Sequence, residues 1–383
     1  MKHINILIAL LLAFCFHLCL FCQPLKQEQK KKPSYVITVN KYDSAQIVSK
    51  MCLVADWQLA NPDKSDRQDW EWGAFYVGLV ELYKITGEQR YLNEIINVGE
   101  TAKWEPLPDI FNADRLTITD VWATLYDITE NPQLIDKTRF TLDIYLKRGF
   151  KNINLSYNRK KNTHHMDWWT WCDALYMAPP TFAHLSKITG DNKYIDYMNI
   201  HWWKTSDYLY SKSDSLYYRD DKYFDQKSEN GKKVFWSRGN GWVMGGLVRV
   251  LEQMPDDYPD RNKYESQYRE MALKILSLQN SEALWTVSLL DPEELNVGES
   301  SGSAFFVYAL AWGINNGLLD AIYKKQILGA WKALTNNIDE HGRLGYVQQV
   351  AERPLPFRKD DWHVYATGTY FMAGKEVLKL IKK

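Results

Sequence analysis

The chain repeats itself, and that constrains its fold more than any other feature. Gly78-Leu-Val-Glu-Leu-Tyr-Lys-Ile-Thr-Gly-Glu-Gln-Arg-Tyr91 returns as Thr181-Phe-Ala-His-Leu-Ser-Lys-Ile-Thr-Gly-Asp-Asn-Lys-Tyr194. Leu82, Lys84, Ile85, Thr86, Gly87 and Tyr91 fall on Leu185, Lys187, Ile188, Thr189, Gly190 and Tyr194. A weaker copy runs from Ala123 to Leu134, and Leu247–Met254 and Ala309–Gly317 are more degenerate ones; a last helix is expected from about Tyr370 to Leu380. In each copy an apolar helical run is stopped by Thr-Gly or Asn-Pro, and after a short polar turn a Tyr or Leu opens the next helix. A helical hairpin of this kind cannot bury its apolar face alone, so it stacks on its neighbours. Segments with strand-like alternation are scarce. The spacing therefore predicts an all-α chain of five or six hairpins. They close into a ring of inner helices around a funnel, with outer helices around them. An open superhelical stack is the alternative. The long segments 146–168 and 206–236 favour the ring, because funnel-shaped enzymes carry their sites on such loops.

Charge narrows the partners. Lys plus Arg and Asp plus Glu both number 47, which gives no pull towards nucleic acid or an anionic membrane. Aromatics are abundant, with 16 Trp and 24 Tyr. They serve either as core filler or as faces that stack on sugar rings, and composition by itself favours the core. At the N-terminus, Met1-Lys2-His3 and an apolar run from Ile4 to Phe21 precede the polar stretch Gln23–Lys32. That order reads as a signal peptide or lipoprotein leader over 1–22, a polar linker over 23–40 and a single catalytic domain over 41–383. Cys22 is a candidate lipidated cysteine, although Phe21 is bulkier than the usual residue before one. The run is also long enough for an anchor, but the lysines after it argue against an N-terminus-inside orientation. The expectation is an exported protein, periplasmic or lipid-anchored, whose sole membrane tether is this N-terminus. Beyond the leader only Cys52 and Cys172 remain, either as one disulfide or as two buried thiols. No Cys/His spacing resembles a zinc site, and neither metal nor cofactor is expected.

Three segments carry candidate chemistry. In Trp168-Trp-Thr-Trp-Cys-Asp-Ala-Leu-Tyr-Met177, helical spacing puts Trp169, Asp173 and Met177 on one face. A carboxyl on an aromatic stripe has its charged form disfavoured, as a general acid working near neutrality requires. A structural Asp paired with an Arg is the plain alternative. In Trp236-Ser-Arg-Gly-Asn-Gly-Trp242, the glycines suggest a tight turn at a helix start, where free N–H groups favour anions. Arg238 would offer a planar grip to a carboxylate, with Trp236 and Trp242 as stacking walls. Asp114, in Phe111-Asn-Ala-Asp-Arg-Leu116, either caps the following helix or belongs to the site. His164, His165 and Asp167 would line the mouth, and His363 precedes the last helix; a lone His is more often a satisfied core residue. Helix capping accounts for Glu299 in Glu299-Ser-Ser-Gly-Ser303.

At these residues the chain resembles the unsaturated glycuronyl hydrolases of glycoside hydrolase family 105 and, more distantly, family 88. The matching stretches are Trp171-Cys-Asp-Ala-Leu-Tyr-Met-Ala-Pro-Pro180, Trp236–Trp242, Glu299-Ser-Ser-Gly-Ser-Ala304 and His363-Val-Tyr-Ala-Thr-Gly368. The resemblance implies an (α/α)6 barrel. It also implies a substrate, an oligosaccharide with a 4,5-unsaturated uronate at its non-reducing end. In such enzymes the C4–C5 double bond is hydrated rather than the anomeric carbon attacked. By analogy Asp173 is the proton donor, Asp114 contacts the sugar, and Arg238 and Trp242 bind substrate. The chain departs from the family at Leu216-Tyr-Tyr-Arg-Asp-Asp-Lys222, where Arg219 stands in place of a family His. Arg219 is therefore a candidate binding residue without a carried-over role. Two other readings stay open: an ordinary inverting glycosidase with Asp173 as acid and Asp114 or Glu299 as base, and a non-catalytic glycan-binding surface protein.

Overall fold

A computed structural model describes residues 43–148, 154–156 and 168–383. The leader, the linker, Cys22, His164, His165 and Asp167 lie outside the described residues. Among the described residues, twelve helices longer than two turns alternate between an outer and an inner position. The outer ones are α1 (Ser44–Ala60), α3 (Gln89–Thr101), α5 (Gln133–Leu146), α7 (Lys193–Leu209), α9 (Arg261–Ser277) and α11 (Lys324–Asn336). The inner ones are α2 (Trp70–Thr86), α4 (Thr117–Thr129), α6 (Pro179–Thr189), α8 (Ser237–Gln253), α10 (Ser300–Asn315) and α12 (Val364–Leu380). Each inner helix packs on the next, and α12 packs on both α10 and α2, so the ring closes and the open stack is excluded. This is the (α/α)6 barrel.

The repeat has a structural reason. Gly87 and Gly190 adopt left-handed φ values of 69° and 67° just past α2 and α6, where a side chain would be strained. Thr86 and Thr189 each donate to the carbonyl four residues back, Leu82 and Leu185. Tyr91 and Tyr194, both fully buried, then reach across to the preceding outer helix and donate to Asp56 and Asp143. One sequence pattern thus supplies a helix stop and an inter-hairpin bolt in each copy. The seam between the first and last inner helices needs its own device. A Cβ on Gly78 would come within 2.0 Å of the Gly368 carbonyl oxygen, so α2 and α12 meet backbone to backbone.

Strand is confined, among the described residues, to one short hairpin: β1 (Tyr210–Ser211) paired antiparallel with β2 (Leu216–Tyr217). It lies in the long segment between α7 and α8. Cys52 and Cys172 are both free and buried, which removes the disulfide option. Among the described residues no helix is long and apolar enough to cross a membrane.

Candidate active site at the helix-start end of the ring

The six inner helices run the same way, so their first turns gather at one end. Trp70 of α2 contacts Trp242 of α8 and Tyr365 of α12, and Arg238 of α8 reaches Ser301 of α10. Helix starts gathered at one mouth point the positive ends of their dipoles into it, a setting that favours anions, and Asp69 and Glu299 already cap two of them. The candidate residues that the structure describes lie at this end.

Asp173 does not sit on the helix face that spacing suggested. Residues 169–173 are irregular, and Asp173 immediately precedes one helical turn, Ala174–Met177. The tandem prolines that begin α6 lack N–H donors and break the run into two. The Cys172 amide instead donates to the Arg219 carbonyl at 2.8 Å, tying this segment to the hairpin loop. The Asp173 side chain is nonetheless buried, and burial raises its pKa against the opposing pull of Arg219 and Arg238. Its nearest cation is Arg219, with Nε 3.4 Å from Oδ2, and Cys172 Sγ lies 3.6 Å from the same oxygen.

Asp114 is not a helix cap, because Asn112 takes that position and accepts from the Asp114 amide at 3.1 Å. The Asp114 carboxyl receives no hydrogen bond from the described residues. Burial, with the like charges of Asp69 and Asp173, pushes it up to about 7. Two carboxyl groups with raised pKa values thus face each other's fields at the mouth, and Arg219 acts on both.

The Trp236–Trp242 element works differently from the expectation. Its glycines are inside α8 rather than in a turn, and the helix begins at Ser237. They are small for packing: a Cβ on Gly239 would press on Trp236 and Cys172 Sγ, and one on Gly241 would press on Phe305. Arg238, 1% exposed, spends its planar grip on main chain. Its Nη1 donates to the Gln348 carbonyl at 2.7 Å and its Nη2 to the Gln349 carbonyl at 2.9 Å. Trp236 donates to the Gln348 side chain, and Trp242 is enclosed by Tyr176, Phe305, Tyr365 and Trp70. Neither tryptophan is an open stacking wall, since both are at most 2% exposed. The element is the scaffold of the site. Asn240 makes this concrete, because its side chain accepts from the Tyr217 amide and donates to the Tyr217 carbonyl. That clamp fixes β2 and so delivers Arg219 two residues later.

Of the remaining candidates, Trp169 is buried against Phe182 and His201, and Met177 accepts a contact from Thr117 Oγ1 at 3.2 Å. His363 reaches the mouth. It stacks on Tyr365 with centroids 4.2 Å apart, and its Nδ1 lies 3.7 Å from Asp63 Oδ2, both atoms lacking hydrogen-bond partners. Burial holds His363 below the ordinary histidine range. Glu299 is a cap and more. Its carboxylate accepts from the amides of Ser301, Gly302 and Gln348 and from the Ser301 hydroxyl.

Sequence reasoning missed Asp63, Asp69, Trp70 and Glu71. Asp69 is paired with Arg115, half-buried Trp70 stacks on Tyr365, and Glu71 is pushed up to about 7 by burial. The signal was present: Asp69-Trp-Glu-Trp72 opens an inner helix with the mixture of tryptophan and charge that marks Trp236–Trp242.

Known proteins place this architecture. The "Unsaturated 3S-rhamnoglycuronyl hydrolase" of Formosa agariphila is 38% identical over 346 residues, spanning 88% of this chain and 91% of that protein. A solved "Glycosyl hydrolase family 88 from Bacteroides vulgatus" superposes with a TM-score of 0.80 at 28% identity, covering 88% of this chain and all of the other. A family 105 glycoside hydrolase from C. acetobutylicum, at 22% identity and a TM-score of 0.68 over 88% of this chain and 99% of its own, shares the fold. The model of Glycosyl Hydrolase Family 88 matches residues 41–381, and the chain belongs to that family.

Proposed function

We propose that this glycoside hydrolase releases the 4,5-unsaturated uronic acid from the non-reducing end of lyase-generated oligosaccharides by hydrating its C4–C5 double bond. One observation carries the residue assignment: Asp173 is a buried carboxyl of raised pKa, beside a second such carboxyl, at a mouth built from helix starts. A carboxyl whose protonated form is favoured by burial suits proton delivery to carbon. Asp173 gives its proton to C4, and the positive charge that develops at C5 is shared with the ring oxygen. Water adds to C5 and returns a proton to the Asp173 carboxylate. The resulting hemiketal opens by breaking the bond from C5 to the ring oxygen. C1 is then a hemiacetal that expels the next sugar as an alcohol. A single acid–base carboxyl suffices, unlike the paired carboxylates of ordinary glycosidases.

Asp114, whose carboxyl receives no hydrogen bond from the described residues, is assigned to a sugar hydroxyl. Arg238, Trp236 and Trp242 support the pocket from behind. An ordinary inverting mechanism is disfavoured in its Glu299 form, because that carboxylate is consumed by four hydrogen bonds. The name of the Formosa agariphila relative supports rhamnose as the sugar beyond the uronate. The apolar N-terminal run supports export, which the N-terminal residue of protein recovered from the cell envelope would test.

Ultraviolet absorbance of the conjugated double bond tests the reaction. Lyase products, including unsaturated uronyl-rhamnose, should lose their absorbance in step with release of the second sugar. Cleavage of saturated oligosaccharides with that absorbance untouched would establish the ordinary glycosidase instead. Binding without turnover, indifferent to Asp173→Asn, would establish the glycan-binding reading.

A further inference from the structure

The uronate carboxylate needs a cation, and the structure removes the obvious one. Both terminal amino groups of Arg238 are committed to the carbonyls of residues 348 and 349. Its Nε and a second hydrogen of Nη2 are left over, but the residue is 1% exposed, against 16% for the Arg219 side chain, so a sugar carboxylate has little access to that edge. Arg219 has the complementary pattern. Its Nη1 donates to the fully buried Asp220 at 2.7 Å and has Glu352 at 3.6 Å. Neither Nε nor Nη2 donates a hydrogen bond to the described residues, and Nε is a buried atom left without a partner. The edge of the guanidinium that bears Nε and Nη2 makes no hydrogen bond to the described residues and faces Asp173 in an ion pair, Nε 3.4 Å from Oδ2, which protonation of Asp173 releases for an incoming carboxylate. Arg219 is held rigidly, because its carbonyl accepts from Cys172 and Asn240 clamps β2 just before it.

We infer that Arg219 binds the C6 carboxylate of the unsaturated uronate through its Nε–Nη2 edge, taking the role that sequence pattern gives to Arg238. This inference rests on the hydration reading above and makes Arg219 the residue that selects an acidic sugar. The geometry suits the chemistry, because C6 is bonded to C5 and C5 to C4. A carboxylate held at Arg219 thus brings the double bond next to Asp173. The same exchange prepares the acid. In the free enzyme Arg219 favours the ionised form of Asp173, and a substrate carboxylate that neutralises Arg219 removes that pull. Groups facing Arg219 from the surrounding segments are Asp114, Cys172, Asp173, Asp220, Tyr223 and Glu352, with Lys222 bonded to Glu352 and Asp220.

The test compares wild type, Arg219→Gln and Arg238→Gln on an unsaturated uronyl disaccharide and on its C6 methyl ester. With the acid, Arg219→Gln should lose on the order of a hundredfold in kcat/KM, largely through KM. With the ester, which has no charge to bind, the loss should shrink to within a few-fold. The alkaline limb of kcat/KM should also move to higher pH in Arg219→Gln, because a cation that favours ionised Asp173 is gone. An equal loss on acid and ester would overturn the inference, as would acid-specific loss in Arg238→Gln alone. If wild type consumes neither substrate, it is the hydration reading that fails. Calorimetric binding of the same two ligands then still decides the role of Arg219: acid bound more tightly than ester only when Arg219 is present supports it, and no difference refutes it.

Discussion

Two aspartates, one at the mouth and one turned into the ion-pair network between the inner helices, are buried alike and behave oppositely. The side chains of Asp173 at the mouth and Asp120 within α4 are 9% and 10% exposed. Burial alone would raise both. Asp120, however, accepts from Arg249 Nη2 at 2.5 Å and meets His184 Nδ1 at 2.9 Å, while His184 Nε2 meets Asp127 at 2.8 Å. These partners drive Asp120 far below the usual carboxylate range and raise His184 to about 9. Lys375 extends the charged network with an ion pair to Glu81 at 2.9 Å. At the mouth the pairing is incomplete. Among the described residues the Asp114 carboxyl accepts no hydrogen bond, and Asp63 Oδ2, Glu71 Oε2, His363 Nδ1, Arg115 Nε, Arg219 Nε and Arg238 Nε are buried without hydrogen-bond partners. A closed network holds the ring together, whereas an open one waits for a ligand. Unsatisfied polar groups cost stability in the free protein, and a substrate that satisfies them recovers that cost as binding.

The contrast can be broken from the ion-pair network first. Asp120→Asn leaves Arg249 and protonated His184 buried without their shared anion, and should cost roughly 3–5 kcal/mol in denaturant unfolding. A loss below 1 kcal/mol would mean that this network is not structural. Next comes pH. His184 has a folded pKa raised above its unfolded value, so its stabilisation is fully present below about pH 6.5 and is lost as pH rises through about 9. That window holds about 3 kcal/mol of pH-dependent stability, and the His184→Gln variant should show a correspondingly flatter stability–pH curve.

The mouth should respond with the opposite sign. Asp114 also has a folded pKa raised above its unfolded value, so its contribution to stability is present below about pH 3.8, is lost as pH rises to about 7, and the full cost stands above that. Asp114→Asn should therefore stabilise the protein by roughly 1–2 kcal/mol at pH 8 while lowering activity. Destabilisation at that pH would show that the Asp114 carboxylate is a structural anchor.

The sequence made the ring legible because its evidence is local: Thr-Gly stops, tyrosine bolts and helical periodicity recur within single hairpins. It made Asp173 and Asp114 visible as candidates for the same reason, each lying in a short distinctive stretch. What stayed hidden depends on direction. Nothing in Trp236–Trp242 tells whether Arg238 points at a cavity or at the carbonyls of a loop about 110 residues later. The ion-pair network was equally invisible, since Asp120, His184 and Arg249 lie 64 and 129 positions apart. Arg219 showed itself only as a departure from a pattern, and its meaning came from the hydrogen bonds it does not make.

The central claim is that Asp173 supplies the proton that adds to C4, and Asp173→Asn tests it most directly. Turnover of an unsaturated uronyl disaccharide should be followed by loss of ultraviolet absorbance, alongside the melting temperature of the same sample. No detectable turnover is expected, with a melting temperature unchanged or slightly raised, because burial disfavours the Asp173 charge and Arg219 keeps its bond to Asp220 when Asp173 becomes a neutral amide. Turnover near the wild-type rate in a folded Asp173→Asn variant would contradict the claim.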